Sequence, residues 1–115
     1  MIQIKRMYSL KKNKEFAFAY RRGRAVSSDL LTLIYVRRGK DITRAGFAVG
    51  KKVGKAVVRN KVKRRLREAY TRVLAEVKPG YSLVFVAKGP TAQAEFCELE
   101  KALNLLLRRS ALLGQ

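Results

Sequence analysis

The stretch KKVGKAVVRNKVKRRLREAY, residues 51 to 70, constrains the fold more than any other part of the chain. On a helical wheel running from residue 55 to 77, Val58, Val62, Leu66, Ala69, Tyr70, Val73 and Val77 fall within about 120° of one another, a stripe that has to face a core. Asn60, Arg64, Arg67 and Thr71 lie opposite it. Arg59 and Lys63 flank the stripe on one side, and Lys61, Arg65 and Arg72 on the other. The helix thus has one apolar edge and a broad basic surface, with ten Lys and Arg between 51 and 72 against one acid, Glu68.

That charge opposes the helix's own electrostatics. Lys51, Lys52 and Lys55 crowd the N-terminal end, where the dipole already contributes about half a positive charge. Pairs four residues apart, such as Arg59 with Lys63 and Lys63 with Arg67, each cost roughly a few tenths of a kcal/mol. An anion against the helix removes both costs, because free amides at a helix start and nearby lysines form a phosphate site. Gly54, just before the helix, lets a backbone approach closely. The alternative is a solvated basic face, and basic side chains alone do not say which nucleic acid is bound.

The flanking elements follow from periodicity and punctuation. NKEFAFAYRR (13–22) predicts a short helix with Asn13 as N-cap, Glu15 in its first turn, Arg21 and Arg22 in its last, and Gly23 as its stop. LLTLIYV (30–36) and RAGFAVG (44–50), separated by the turn signal RRGKD, predict two strands paired as an antiparallel hairpin. Pro79 and Gly80 end the long helix. YSLVFVA (81–87) predicts a third strand, and Thr91 caps a last helix (92–109) carrying Phe96, Leu99, Leu103 and Leu106 on one stripe. The expected fold is one α+β domain over residues 1–115: a two-layer sandwich in the order α-β-β-α-β-α around a small mixed sheet.

Composition narrows the function. Lys and Arg number 27 against 8 Asp and Glu, a net charge of +19 that calls for a polyanionic partner. A nucleic acid fits better than a membrane, since the longest apolar runs, LLTLIYV and ALNLLL, are too short to span one. The opening MIQIKRMYSLKKNKEF has no apolar segment of signal-peptide type, so a cytoplasmic location is expected. The chain has no histidine, which removes the usual general base and any Cys/His zinc site. Cys97 is expected as a small core residue on a helix. The carboxylates Glu15, Asp29, Asp41, Glu68, Glu76, Glu95, Glu98 and Glu100 sit mostly at helix starts and turns, where solvated charge is the simplest reading.

VGKAVVRNKVKRRLREAY closely resembles the signature of the bacterial ribonuclease P protein component, with Arg59-Asn60-Lys61 where the family carries Arg-Asn-Arg. Lys61 keeps the charge of the third position but loses its planar fork. LKKNKEF, RAGFAVGKKVG, GYSLVFVAKGPT and the leucine-rich last helix resemble the same family in the same order. The resemblance implies a subunit that binds ribonuclease P RNA, one protein per RNA, and helps it remove the 5′ leader of precursor tRNA. The RNA does the chemistry with magnesium ions, and the protein supplies no catalytic side chain, no metal site and no cofactor of its own. It also implies a left-handed crossover through the long helix, against the usual hand.

Two RNA-facing surfaces are then expected. Lys51, Lys52, Lys55, Arg59, Asn60, Lys61, Lys63, Arg64 and Arg67 would meet the catalytic RNA; Asn60 either fixes local geometry or is simply solvated. A cleft between the first helix and the sheet would take the single-stranded leader, with Phe16 and Tyr20 on one helical face, Ile34 on the sheet, and charge from Lys12, Lys88, Arg22 and Arg24. Aromatic rings stack bases with little sequence preference, although Phe16 also suits a core. Tyr35 should face away from the cleft, and Phe18 belongs to another surface. The rival readings are a ribosomal or other structural RNA-binding protein, and an independent nuclease using carboxylates and a metal.

Overall fold

The computed structural model describes residues 8–10, 12–39 and 41–114. The expectation of no signal segment rests partly on residues 1–7, outside the described residues. The first helix, α1 (Asn13–Arg22), has the expected bounds, but Lys12 rather than Asn13 is its cap. Glu15 reaches back to accept the Lys12 N–H at 3.2 Å, which places an acid at the positive end of the dipole.

A strand that the sequence reading missed follows directly. β1 (Arg24–Ser27) is short, largely exposed and at the sheet edge, so it has little of the alternation that marks a half-buried strand. It pairs antiparallel with β2 (Leu31–Arg37), Val26 opposite Leu33 and Ala25 opposite Ile34.

The expected hairpin between the next two strands does not form. β3 (Arg44–Ala48) and β2 are separated by β4 (Tyr81–Ala87), in the order β1-β2-β4-β3. β4 runs antiparallel to β2 and parallel to β3. The reason lies in β4 itself: SLVF (82–85) is buried without interruption, so this strand needs cover on both faces and takes a central position. A parallel pair requires a crossover, here supplied by α2 (Ala56–Val73). The helix is shorter than the expected 55–77; a 3-10 turn over Leu74–Glu76 follows, and Val77 packs on the core from outside the helix.

The last helix, α3 (Phe96–Arg109), also starts later than expected. Its cap is Glu95, whose N–H donates to Glu98 Oε1 at 2.8 Å, while Thr91 is buried and bonds the Lys88 carbonyl at 2.7 Å. Gly89–Ala92 forms a 3-10 turn in between. Cys97 is exposed rather than in the core, because Leu99, Leu103, Leu106 and Leu107 form the buried stripe of this helix.

The α+β class and the mixed sheet are as expected, but helices lie on both faces. Leu31, Leu33, Ala45, Phe47, Leu83 and Phe85 face the main core under α2 and α3. Val84 on the other face joins Ala19 of α1 and Leu10 in a smaller cluster, so α1 adds a partial third layer. In the main core Tyr70 of α2 meets Phe47 at 6.1 Å and Phe85 at 5.8 Å, and the two phenylalanine rings stack at 5.7 Å.

The Tyr70 hydroxyl is buried and has no hydrogen-bond partner among the described residues. Burial pushes its phenol up from the ordinary value of 10.0. In the unfolded chain this phenol ionises near pH 10 while the fold holds it neutral, so its contribution is full below that pH and is lost as pH rises toward the folded value. Wild type should therefore lose stability faster than Tyr70→Phe above about pH 10, whereas at pH 7 the two should agree within about 1 kcal/mol. Urea unfolding at both pH values checks this.

Candidate nucleic-acid interface

The lead-in to α2 is shaped by burial at one point and openness on either side. A turn closed by the Val53 N–H on the Gly50 carbonyl (3.1 Å) buries Val53 and leaves Lys51 and Lys52 exposed. Gly54 has φ +153, and a Cβ there would lie 3.1 Å from Val58 Cβ and Cγ1, so the position accepts only glycine without strain. Lys55 is the N-cap, without a side-chain cap bond, and the first turn holds no acid. α1 and α3 each have a glutamate at this place and α2 has none.

The basic surface of α2 divides into two sets. One is anchored within the protein. Arg65 Nη1 donates to the Ala94 carbonyl at 3.0 Å. Arg72 Nη1 meets Glu100 Oε2 at 3.0 Å, and its guanidinium lies 4.8 Å from the centre of the Phe96 ring. Arg59 Nε donates to the Gly54 carbonyl at 3.2 Å, which steadies the lead-in. The other set has no such bond: the charges of Lys51, Lys52, Lys55, Lys61, Lys63, Arg64 and Arg67 meet no acceptor among the described residues. Asn60 is likewise exposed and unpartnered in their midst. All nine residues singled out in the sequence lie on α2 and its lead-in; only Arg59 already has an acceptor.

The second surface lies on the face of the sheet covered by α1. Its floor is half-buried Ile34, Ala48 and Val86, which pack against the small cluster with Phe16. The ring of Phe16 sits over Gly46, where a Cβ would fall within 2.7 Å of ring Cε1; glycine here makes the room. Tyr20, one turn later on α1, is 51% exposed at the rim. Tyr35 points into the main core, as its one-residue step from Ile34 requires, and Phe18, about 200° round α1 from Phe16, stacks under Arg38 at 4.3 Å.

The charged residues assigned to this cleft are less uniform. Lys12 is exposed at the start of α1, and Arg22 and Arg24 are exposed at its far end. Lys88 is half-buried, and its ammonium donates to the Ser28 carbonyl, tying the end of β4 to the β1–β2 turn. Its charge is therefore partly committed to structure.

Two features escaped the sequence reading. Val57 is 80% exposed on the first turn of α2; its direction, a 100° step from the core-facing Val58, was legible on the wheel. A groove between α2 and residues 92–96 depends on tertiary packing and leaves no local signal.

The family model described as Ribonuclease P matches residues 4–111. The ribonuclease P protein component of Caldanaerobacter subterraneus subsp. tengcongensis is 38% identical over 107 residues, covering 93% of this chain and 92% of that one. That of Clostridium botulinum (strain 657) is 43% identical over 104 residues, covering 90% and 94%. Among solved structures, the Staphylococcus aureus RNase P protein superposes with a TM-score of 0.83 at 25% identity, covering 93% of this chain and 98% of that one. The Thermotoga maritima RNase P protein does so with 0.78 at 27% identity, covering 87% and 96%. The fold, the uncompensated basic helix and these likenesses over nearly the full length agree: the chain belongs to the ribonuclease P protein family.

Proposed function

We propose that this chain docks on ribonuclease P RNA through the N-terminal half of α2 and receives the single-stranded 5′ leader of precursor tRNA in the cleft beneath α1, one protein per RNA. As a member of its family it is a subunit of an endoribonuclease whose catalysis is carried by RNA, with a role in tRNA 5′ processing. The observation that carries the docking assignment is the set of seven α2 and lead-in cations without an acceptor, next to a helix start with no acid. Phosphates placed there satisfy the amides and offset the like-charge repulsion together. The release of their counterions adds a salt-dependent gain in affinity.

In the cleft, Tyr20 offers a ring to an unpaired base and Phe16 walls the floor, so a leader is held by stacking rather than by sequence. The magnesium ions of the reaction are assigned to the RNA, which carries the catalysis in this family. The cytoplasmic setting is taken from the family. Separately, among the described residues no helix is long and apolar enough to cross a membrane. A structural RNA-binding protein would share the charge of α2 but would have no use for a half-exposed aromatic cleft on the opposite face.

With a bacterial ribonuclease P RNA at low magnesium, the protein should stimulate cleavage of precursor tRNA, and Tyr20→Ala should reduce the preference for precursor over mature tRNA. No stimulation by wild type would overturn the assignment; equal loss for both substrates would return Tyr20 to a packing role. Arg64→Ala should make the slope of log affinity against log salt shallower by about one unit. Arg72→Ala should leave that slope closer to wild type while lowering stability by about 1 kcal/mol, since this half-exposed side chain holds α2 to α3.

A further inference from the structure

We infer that the groove between α2 and the segment leading into α3 receives an unpaired base of the RNA that lies along α2; this rests on the docking role proposed above. The groove holds about 380 Å³ and is lined in part by Lys61, Arg65, Gln93, Ala94, Glu95 and Phe96, a size within the range of small-ligand sites. It adjoins the basic face directly, because exposed Lys61 belongs to both.

Its walls are fixed. The bond from Arg65 Nη1 to the Ala94 carbonyl holds the segment against α2. Arg72, seated over Phe96 and bound to Glu100, does the same two turns further along α2. The polar groups that remain suit a base edge better than a phosphate. Gln93 is exposed and its side-chain amide has no partner among the described residues, so it offers both a donor and an acceptor. Glu95, whose side chain also faces the Glu98 N–H in the capping box of α3, brings a carboxylate to the same wall; it repels phosphate, and its remaining lone pairs accept from a ring N–H or an exocyclic amine. Lys61 at the lip is left for the phosphate of the same nucleotide.

Phosphate contacts position a protein without carrying sequence information, and RNA sequence is read mainly from unstacked bases. A base held in this groove would set the register of the RNA along α2.

The test measures affinity for ribonuclease P RNA across a series of KCl concentrations, using the full chain as wild type, Gln93→Ala, Glu95→Gln and Arg64→Ala. A base in the groove predicts that Gln93→Ala and Glu95→Gln each weaken binding by about three- to tenfold, with the salt slope unchanged. Both positions are exposed, and thermal melts verify that the variants fold. A phosphate in the groove predicts the opposite sign for Glu95→Gln, tighter binding once the repelling charge is gone, and that result overturns the proposal. So does a change of less than about twofold in either variant. If the groove variants are silent while Arg64→Ala still flattens the slope, the groove alone is refuted; if Arg64→Ala is silent as well, the docking role falls with it.

Discussion

The contact of Tyr70 with Phe47 and Phe85 is the point on which the rest of the molecule depends. It joins α2 to the two parallel strands that α2 itself connects, so one aromatic cluster fixes both the crossover and the rotation of the helix about its axis. With Val62, Leu66 and Ala69 buried along the same stripe, the opposite face has no choice but to point outward. That outward face carries Asn60, Arg64 and Arg67. The core thus determines which way the charge is aimed, and a helix free to rotate would present no defined surface to a partner.

The basic residues of α2 do two different jobs, and their hydrogen bonds tell them apart. Arg65 and Arg72 fasten α2 to α3 and its lead-in, where the planar guanidinium can satisfy a carbonyl, a carboxylate or an aromatic face. The lysines at the helix start and Arg64 and Arg67 have no partner among the described residues and add to the repulsion. The free protein carries this as a loss of stability that salt lessens by screening and a bound polyanion reverses. A surface selected for folding alone would have placed acids among these residues, as α1 and α3 do at their own starts with Glu15 and Glu98.

Much of this was legible in the sequence, for a physical reason. The bounds of α1, the core stripe of α2 and the positions of β2 and β4 follow from periodicity, which is local. The failures share the opposite character. Nothing local says that β4 inserts between β2 and β3; that choice is made by the need to cover a strand apolar on both faces. β1 was missed because its pairing comes from the neighbouring strand, its own pattern being weak. The start of α3 was misplaced because Thr91 satisfies its hydroxyl in the preceding turn. In the site, the nine residues of α2 and its lead-in could be named from the chain, whereas the division between anchored and free arginines, the commitment of Lys88 to Ser28 and the groove beside Gln93 exist only after folding.

The central claim is that the exposed face of α2 costs the free protein stability until an RNA backbone lies against it. Thermal unfolding of the free chain from low to high KCl, repeated at low salt with ribonuclease P RNA, measures that cost directly. Screening of the like charges should raise Tm by about 2–5 °C as KCl goes from roughly 50 mM to 0.5 M, and the RNA should raise it further at the low-salt end. A Tm that stays level or falls with salt, with no gain from the RNA, would contradict it.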